Sequence, residues 1–294
     1  MATQSTAKPI SLQTRQASER NTRVFSTLRK NPLIAIGVAI IAGWVMVAVF
    51  ATQLTPFAPL EQNVRDRLQE PSQTHPMGTD ELGRDVLTRV AYGGRITMPA
   101  GITIVVIGSL VGTLVGALAG YLGGLWDEVM MRITELFMAF PTIILAMAVT
   151  AALGPDVRNA ILALVVVWWP NYARLIRSLV LEVKSQDFVE AARSLGAPGY
   201  YILLRTILPN SFMPAVILAT LDIGNAILVF AGLSFLGLGP EPSSPEWGRM
   251  VSVGIDFFDQ WWMWLFPGIA IASLVMAFNF IGDSIRDIAD PRLR

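Results

Sequence analysis

Four stretches of this chain carry no charged side chain: residues 31–60, 96–126, 136–155 and 260–282. Each reaches the roughly 20 apolar residues that take a helix across a bilayer core. Two further runs are apolar apart from Arg174 and Arg177 in residues 159–181 and Asp222 in residues 208–239. The pattern predicts an all-α integral membrane protein with about six transmembrane helices. Polar segments divide it into a tail over 1–30, a first span over 31–54, a loop over 55–95, a core of five helices over 96–285 and a tail over 286–294. Within the loop, Leu82, Val86, Leu87, Val90 and Ala91 recur at helical spacing. They predict a short amphipathic helix lying along the membrane before the second span.

Inside the spans, Gly108, Gly112, Gly116, Gly120 and Gly124 repeat every fourth residue. On a helix they form one ridge against which another backbone can approach closely, a packing signal before a substrate signal. A third span is expected after "DEVMMRITE" and to include Pro141, and a kink is expected at Pro170 in the fourth. Trp261, Trp262 and Trp264 precede the last span as an interfacial belt would.

Composition agrees: 53% of the 294 residues are hydrophobic, and they are gathered into the runs above. The formal net charge of zero gives no support to nucleic-acid binding, whereas the placement of the charges is informative. With the N-terminus inside, fifteen of the 22 Lys and Arg residues fall on inside segments and seven on outside ones. The excess puts both termini, the basic 1–30 tail and the 184–207 connection in the cytoplasm and the 55–95 loop outside. The absence of cysteine excludes disulfides and thiolate metal sites.

Catalytic constellations are missing: the chain has no Walker-type Gly-rich Lys loop, no His-Glu-x-x-His and no Gly-x-Ser-x-Gly elbow. His75, the single histidine, lies in a Pro/Gly-rich loop and reads as solvated or locally hydrogen-bonded rather than as a ligand or base. Asp80, Glu81 and Asp85 could hold a cation, but they alternate with Arg84 and Arg89 and read better as salt-bridged helix surface. Asp222, inside a span, defaults to a functional hypothesis, either lining a water-filled path or pairing within the bundle. Asn225, three residues on, falls on the same helical side.

The polar interruption "EAARSLGAPGYYILLRTILPN" (190–210) has its own design. Asp187 and Glu190 are spaced for a capping box, Gly196 is placed to end a helix in a left-handed turn, and Pro198 and Pro209 suit first turns of further helices. Two short helices at a bend follow, which on physics alone is either a well-capped connector or a docking element. This segment resembles the Glu-Ala-Ala loop of bacterial ABC-importer permeases, through Glu190, Ala191, Ala192, Gly196, Leu208 and Pro209. "HPMGTDELGRDVLTRVAYGGRITM" (75–98), "LSFLGLGPEPSSPEWGRMV" (233–251) and "DSIRDIADPRLR" (283–294) narrow the resemblance to the C-type subunit of the dipeptide/oligopeptide/nickel branch.

That resemblance implies a type I importer architecture in the bacterial inner membrane. The chain would bind no cofactor; ATP and Mg would be used by two separate ATPase subunits. A second, B-type permease subunit and an extracytoplasmic substrate-binding protein would complete the complex. Glu190, Ala191, Ala192, Arg193, Gly196 and Arg205 would belong to a cytoplasmic coupling helix and its surroundings, seated on an ATPase. Relatives of this branch move dipeptides, oligopeptides, nickel complexes, glutathione or oligosaccharides. The rival from the sequence is a self-sufficient secondary transporter, which inverted repeats and several intramembrane charges would favour; one deep acid and no convincing repeat are present.

Overall fold

The computed structural model describes residues 32–289; the basic tail expected over 1–30 and the last five residues lie outside them. Regular structure among the described residues is helical apart from one isolated antiparallel bridge, Thr79 to Asp85. Helix α1 (Pro32–Val49) is followed by the single turn α2 (Ala51–Leu54) and a loop to residue 85 holding one 3-10 turn, Val64–Asp66. Then come α3 (Val86–Leu122), α4 (Gly124–Met138), α5 (Thr142–Leu153) and α6 (Val157–Lys184). The short α7 (Asp187–Ser194) and α8 (Gly199–Tyr201) lead through a π-helical stretch, Ile202–Ile207, into α9 (Leu208–Phe235). The last two are α10 (Trp247–Ile255) and α11 (Trp261–Ala289). Five helices are long and apolar enough to cross a membrane, or six when α4 and α5 count as one bent span.

The 37-residue α3 is the spine. At 1.5 Å per residue it is about 56 Å long, well beyond a bilayer core of about 30 Å. Its first turns are the segment expected to form a separate amphipathic helix. Instead they run into the span without a break, because Asp85 N-caps the helix by accepting from Thr88 N at 2.7 Å and nothing stops it before Leu122. Pro99 sits inside it without ending it.

Four of the ridge glycines face α6. A Cβ on Gly108 would meet Trp168 Cβ at 3.0 Å, one on Gly112 would meet Ala173 N at 2.9 Å, one on Gly116 would meet the Ala173 backbone, and one on Gly120 would meet Arg177 O at 3.0 Å. Without a driving hydrophobic effect in lipid, such close backbone approach is how helices gain packing energy. Gly124 leaves the ridge: it opens α4 at φ +57° with no neighbour within 4 Å.

Where a single third span was expected, α4 and α5 meet at 90° across residues 139–141. Pro141 sits at the N-cap of α5, at the break rather than inside a helix. Fixed proline φ and the bias it imposes on Phe140 account for the stop there. Helix α6 stays helical through Pro170. Helix α11 carries Arg286 in its last turn, so the tail expected from residue 286 begins as helix.

Three apolar clusters stack along α3. Val86, Val90 and Met98 pack with Trp247, Trp262 and Leu274. Ile104 and Val105 pack with Leu164, Trp168, Tyr172 and Phe230. Ala117 packs with Ile176, Val189, Ile202 and Ile207. Each end of the bundle thus has its own packed floor, and the candidate sites sit on them.

Candidate functional site

At the end nearest the third cluster lies residues 184–210. The capping box expected from Asp187 and Glu190 is not made: Gln186 is the N-cap of α7, without a side-chain cap, so Asp187 is already the first helical residue. Asp187 and Glu190 both fall in the first turn, where their charge favours the helix dipole. The other end closes as the sequence indicates. Gly196 adopts φ +80°, Gly196 N donates to Arg193 O at 3.0 Å, and Ala197 N donates to Ala192 O at 3.1 Å, a Schellman closure that suits a residue without Cβ.

Pro198 caps α8 instead of opening it. The second short helix does not end on its own: α8 continues through the π stretch into α9. Pro209 lacks an N–H and its ring crowds the carbonyl one turn back, which the wider π turns accommodate. Asn210 Nδ2 meets the Thr206 carbonyl at 2.6 Å.

One residue anchors α7: Val189, fully buried among Ala117, Ile176, Val180 and Ile207. The remainder faces out. Glu190, Ala191, Arg193, Gly196 and Arg205 are exposed and Ala192 is half-buried. Beside them stand Phe188, Leu195, Tyr200 and Leu204, with Leu195 88% exposed. Apolar side chains thus stand exposed beside charges of both signs on this face.

The segment is tied to neighbouring helix ends. Lys184 Nζ donates to Tyr121 O at 2.7 Å at the C-terminus of α3, and Arg177 donates two hydrogen bonds to Asp127 of α4, one of them at 2.6 Å.

Deeper in the bundle, Asp222 of α9 is half-buried and accepts from Tyr172 Oη at 2.7 Å and Trp168 Nε1 at 3.3 Å, both on Oδ2. It lines a groove of about 590 Å³ between α6 and α9, with Asn171, Arg174, Ser178 and, from α11, Arg286. Both readings of Asp222 therefore find something: it is paired within the bundle, yet by neutral donors, and it faces an open groove. Asn225 does not join it; it is exposed elsewhere on α9 and is not a groove residue.

The opposite end holds a polar node whose burial sequence reasoning missed. His75, read as solvated or locally hydrogen-bonded, is 7% exposed and its Nδ1 lies 2.9 Å from Asp85 Oδ1, ten residues on. Asp80, Arg84 and Arg89 do pair, as the alternation suggests, but in the interior and mostly outside any helix. Arg84 Nε donates to Asp80 Oδ2 at 2.6 Å, and Arg89 donates to the Ser243 and Ser244 carbonyls at 3.1 and 3.0 Å. Glu246 is fully buried, accepting from Gly248 N at 2.9 Å, Arg249 N at 2.8 Å and Thr97 Oγ1 at 3.1 Å. Burial pushes the Glu246 carboxyl up from its usual range, and the backbone donors pull it partly back. Trp262, expected in an interfacial belt, is buried and donates to Thr79 O at 3.0 Å, whereas Trp261 is exposed.

Two stretches that carried the resemblance, 75–98 and 233–251, thus pack into one node. The signal available was the surplus of Gly and Pro around their charges, which is what chain needs to fold charge inward.

Residues 112–294 match the family described as binding-protein-dependent transport system inner membrane component, and residues 22–71 match the N-terminal transmembrane domain of oligopeptide transport permease C. The chain belongs to the binding-protein-dependent transport system inner membrane component family: it is a membrane-spanning permease subunit of an ABC importer, a transport component rather than an enzyme. Among its relatives, the dipeptide transport system permease protein DppC of Alkalihalophilus pseudofirmus is 42% identical over 92% of this chain and 89% of that protein. The protein of the same name from Escherichia coli K12 is 40% identical over 90% and 91%. The probable D,D-dipeptide transport system permease protein DdpC of Escherichia coli K12 is 39% identical over 90% and 89%. An inward-facing MetNI methionine ABC transporter structure superposes with a TM-score of 0.49 at 20% identity, covering 65% of this chain and 94% of that one.

Proposed function

We propose that the chain forms half of the translocation pathway of an importer for di- and oligopeptides. The observation that carries this reading is the relatives named for dipeptide transport, about 40% identical across nine-tenths of the chain. A B-type permease would supply the other half of the pathway, two ATPase subunits would bind and hydrolyse ATP with Mg, and an extracytoplasmic binding protein would deliver cargo. Both termini and the 184–207 connection face the cytoplasm in this reading, supported by the Lys and Arg excess on those segments.

The exposed face of α7, with Glu190, Ala191, Ala192, Arg193 and Gly196, and Arg205 nearby, is the seat for an ATPase. When ATP draws the two ATPases together, the seat moves, and Val189 carries that displacement into the cluster shared by α3, α6 and α9. ATP can do this work only through its higher affinity for the closed state. Asp222 faces the path; Asn225, away from the groove, has no support as its companion. The glycine ridge keeps α3 and α6 together as one rigid unit.

The cargo is tested by uptake of labelled L-alanyl-L-alanine into proteoliposomes holding the complete complex. Competition by unlabelled dipeptides and tripeptides is expected. No dipeptide uptake, with labelled nickel, glutathione or an oligosaccharide taken up instead, would move the chain to another cargo of its branch.

A further inference from the structure

The groove between α6 and α9 holds charges of both signs that the described residues leave open. Both hydrogen bonds to Asp222 end on Oδ2, and Oδ1 has no protein partner among the described residues. Arg174 and Arg286 line the same groove, are exposed, and make no ion pair among the described residues. Arg177, one turn from Arg174, is neutralised by Asp127, so the unpaired cation is a property of this groove and not of α6 as a whole. Asn171 and Ser178 add neutral polar groups on the same face, and aliphatic Leu218 and Leu221 form the opposite wall. A volume of about 590 Å³ falls within the range of small-molecule sites.

Spacing narrows the ligand. Asp222 is held at the level of Trp168 and Tyr172, and Arg174 lies two to six residues further along α6, about 3–9 Å of helical rise. A dipeptide backbone in extended form spans about 7 Å. We infer that this groove is a peptide-terminus cradle, with Asp222 Oδ1 accepting the α-ammonium group of a dipeptide and Arg174, assisted by Arg286, taking its α-carboxylate. The inference rests on the peptide reading above and adds a selective site within the permease itself. Tyr172 and Trp168 are its positioning residues: they fix Oδ2 and so aim Oδ1. Longer peptides reach only one of the two charges at a time, so the cradle favours dipeptides.

The chain has no cysteine, so Ser178→Cys puts a unique thiol for this chain at the groove wall. In the complete complex in nanodiscs, without binding protein, the alkylation rate of that thiol by a maleimide is read against L-alanyl-L-alanine, its N-acetyl derivative and its C-terminal amide. The dipeptide slows alkylation, and each derivative needs about ten- to a hundredfold more ligand for the same protection, the worth of one hydrogen bond to a charged group. Asp222→Asn, which keeps an acceptor for Tyr172 and Trp168, erases the difference between dipeptide and N-acetyl dipeptide and leaves the amide penalty. Arg174→Gln erases the amide penalty and leaves the acetyl penalty, and Arg174→Lys restores it.

Absent protection, or variants that shift all three ligands alike, overturns the cradle. The same preparations are assayed for uptake driven by ATP and binding protein. Dipeptide uptake without groove protection removes the cradle and leaves peptide import standing; no dipeptide uptake by the unaltered complex removes both.

Discussion

Glu246 places a carboxylate where no water reaches and surrounds it with two backbone amides and the Thr97 hydroxyl. Because burial raises its folded pKa above the ordinary glutamate value, the native state binds more protons than the unfolded one between those two values. Its contribution therefore favours the fold as pH falls through that window and is lost as pH rises through the raised value. Thermal unfolding of the purified complex, followed as pH is lowered from neutral towards the ordinary glutamate range, should show this gain, and Glu246→Gln should flatten it. Asp80 behaves differently: Asp80→Ala strips the buried Arg84 of its closest partner and should cost about 3–5 kcal/mol, read as a lowered unfolding midpoint. That these charges pair was legible in their alternation, whereas their burial was signalled only by the Gly and Pro around them. Alternating charges around His75 to Arg89 look the same whether they face water or each other, and only the long-range contacts, such as Arg89 to Ser243 and Ser244, decide.

At the scale of elements, the apolar runs were legible as about six spans, because in lipid a backbone has to satisfy its own hydrogen bonds and a helix has to be long enough to cross. Breaks were harder to read. The α4–α5 bend turns on three residues around Pro141, and the continuity of residues 86–95 with α3 depends on the Asp85 cap and on Trp247 packing against Gly93. The glycine ridge was readable as packing, but not its partner helix. Gly112→Ala should destabilise the complex by about 1–3 kcal/mol, despite alanine's better helix propensity, because the new Cβ meets Tyr172 and the Ala173 amide. Gly43→Ala in α1, with no neighbour within 4 Å, is the control and should leave the unfolding midpoint unchanged or slightly raised. For α7, Gly196 and its left-handed turn were readable, whereas the capping box was not made, since Gln186 takes the cap position. Glu190→Arg reverses charge on the exposed face without touching Val189. Pull-down of the ATPase subunits should fall at least severalfold with membrane assembly intact; unchanged association would reduce α7 to a connector.

For the whole molecule, the three stacked clusters give a bundle with a polar node at one end, a tethered exposed helix at the other and a charged groove between them. In the proposed reading this division supplies a firm floor where cargo enters, a lever for the ATPase and a path whose walls belong to helices the lever moves. On the same reading the energy comes from ATP hydrolysed by the partner ATPase subunits, in keeping with the chain's family as a transport component. The decisive measurement is labelled dipeptide uptake into proteoliposomes assembled with this chain, its B-type partner, both ATPases and the binding protein, then repeated with ATP or the binding protein left out. Uptake against a gradient that disappears with either omission is the predicted result; accumulation by this chain alone, without ATP or partners, would contradict it.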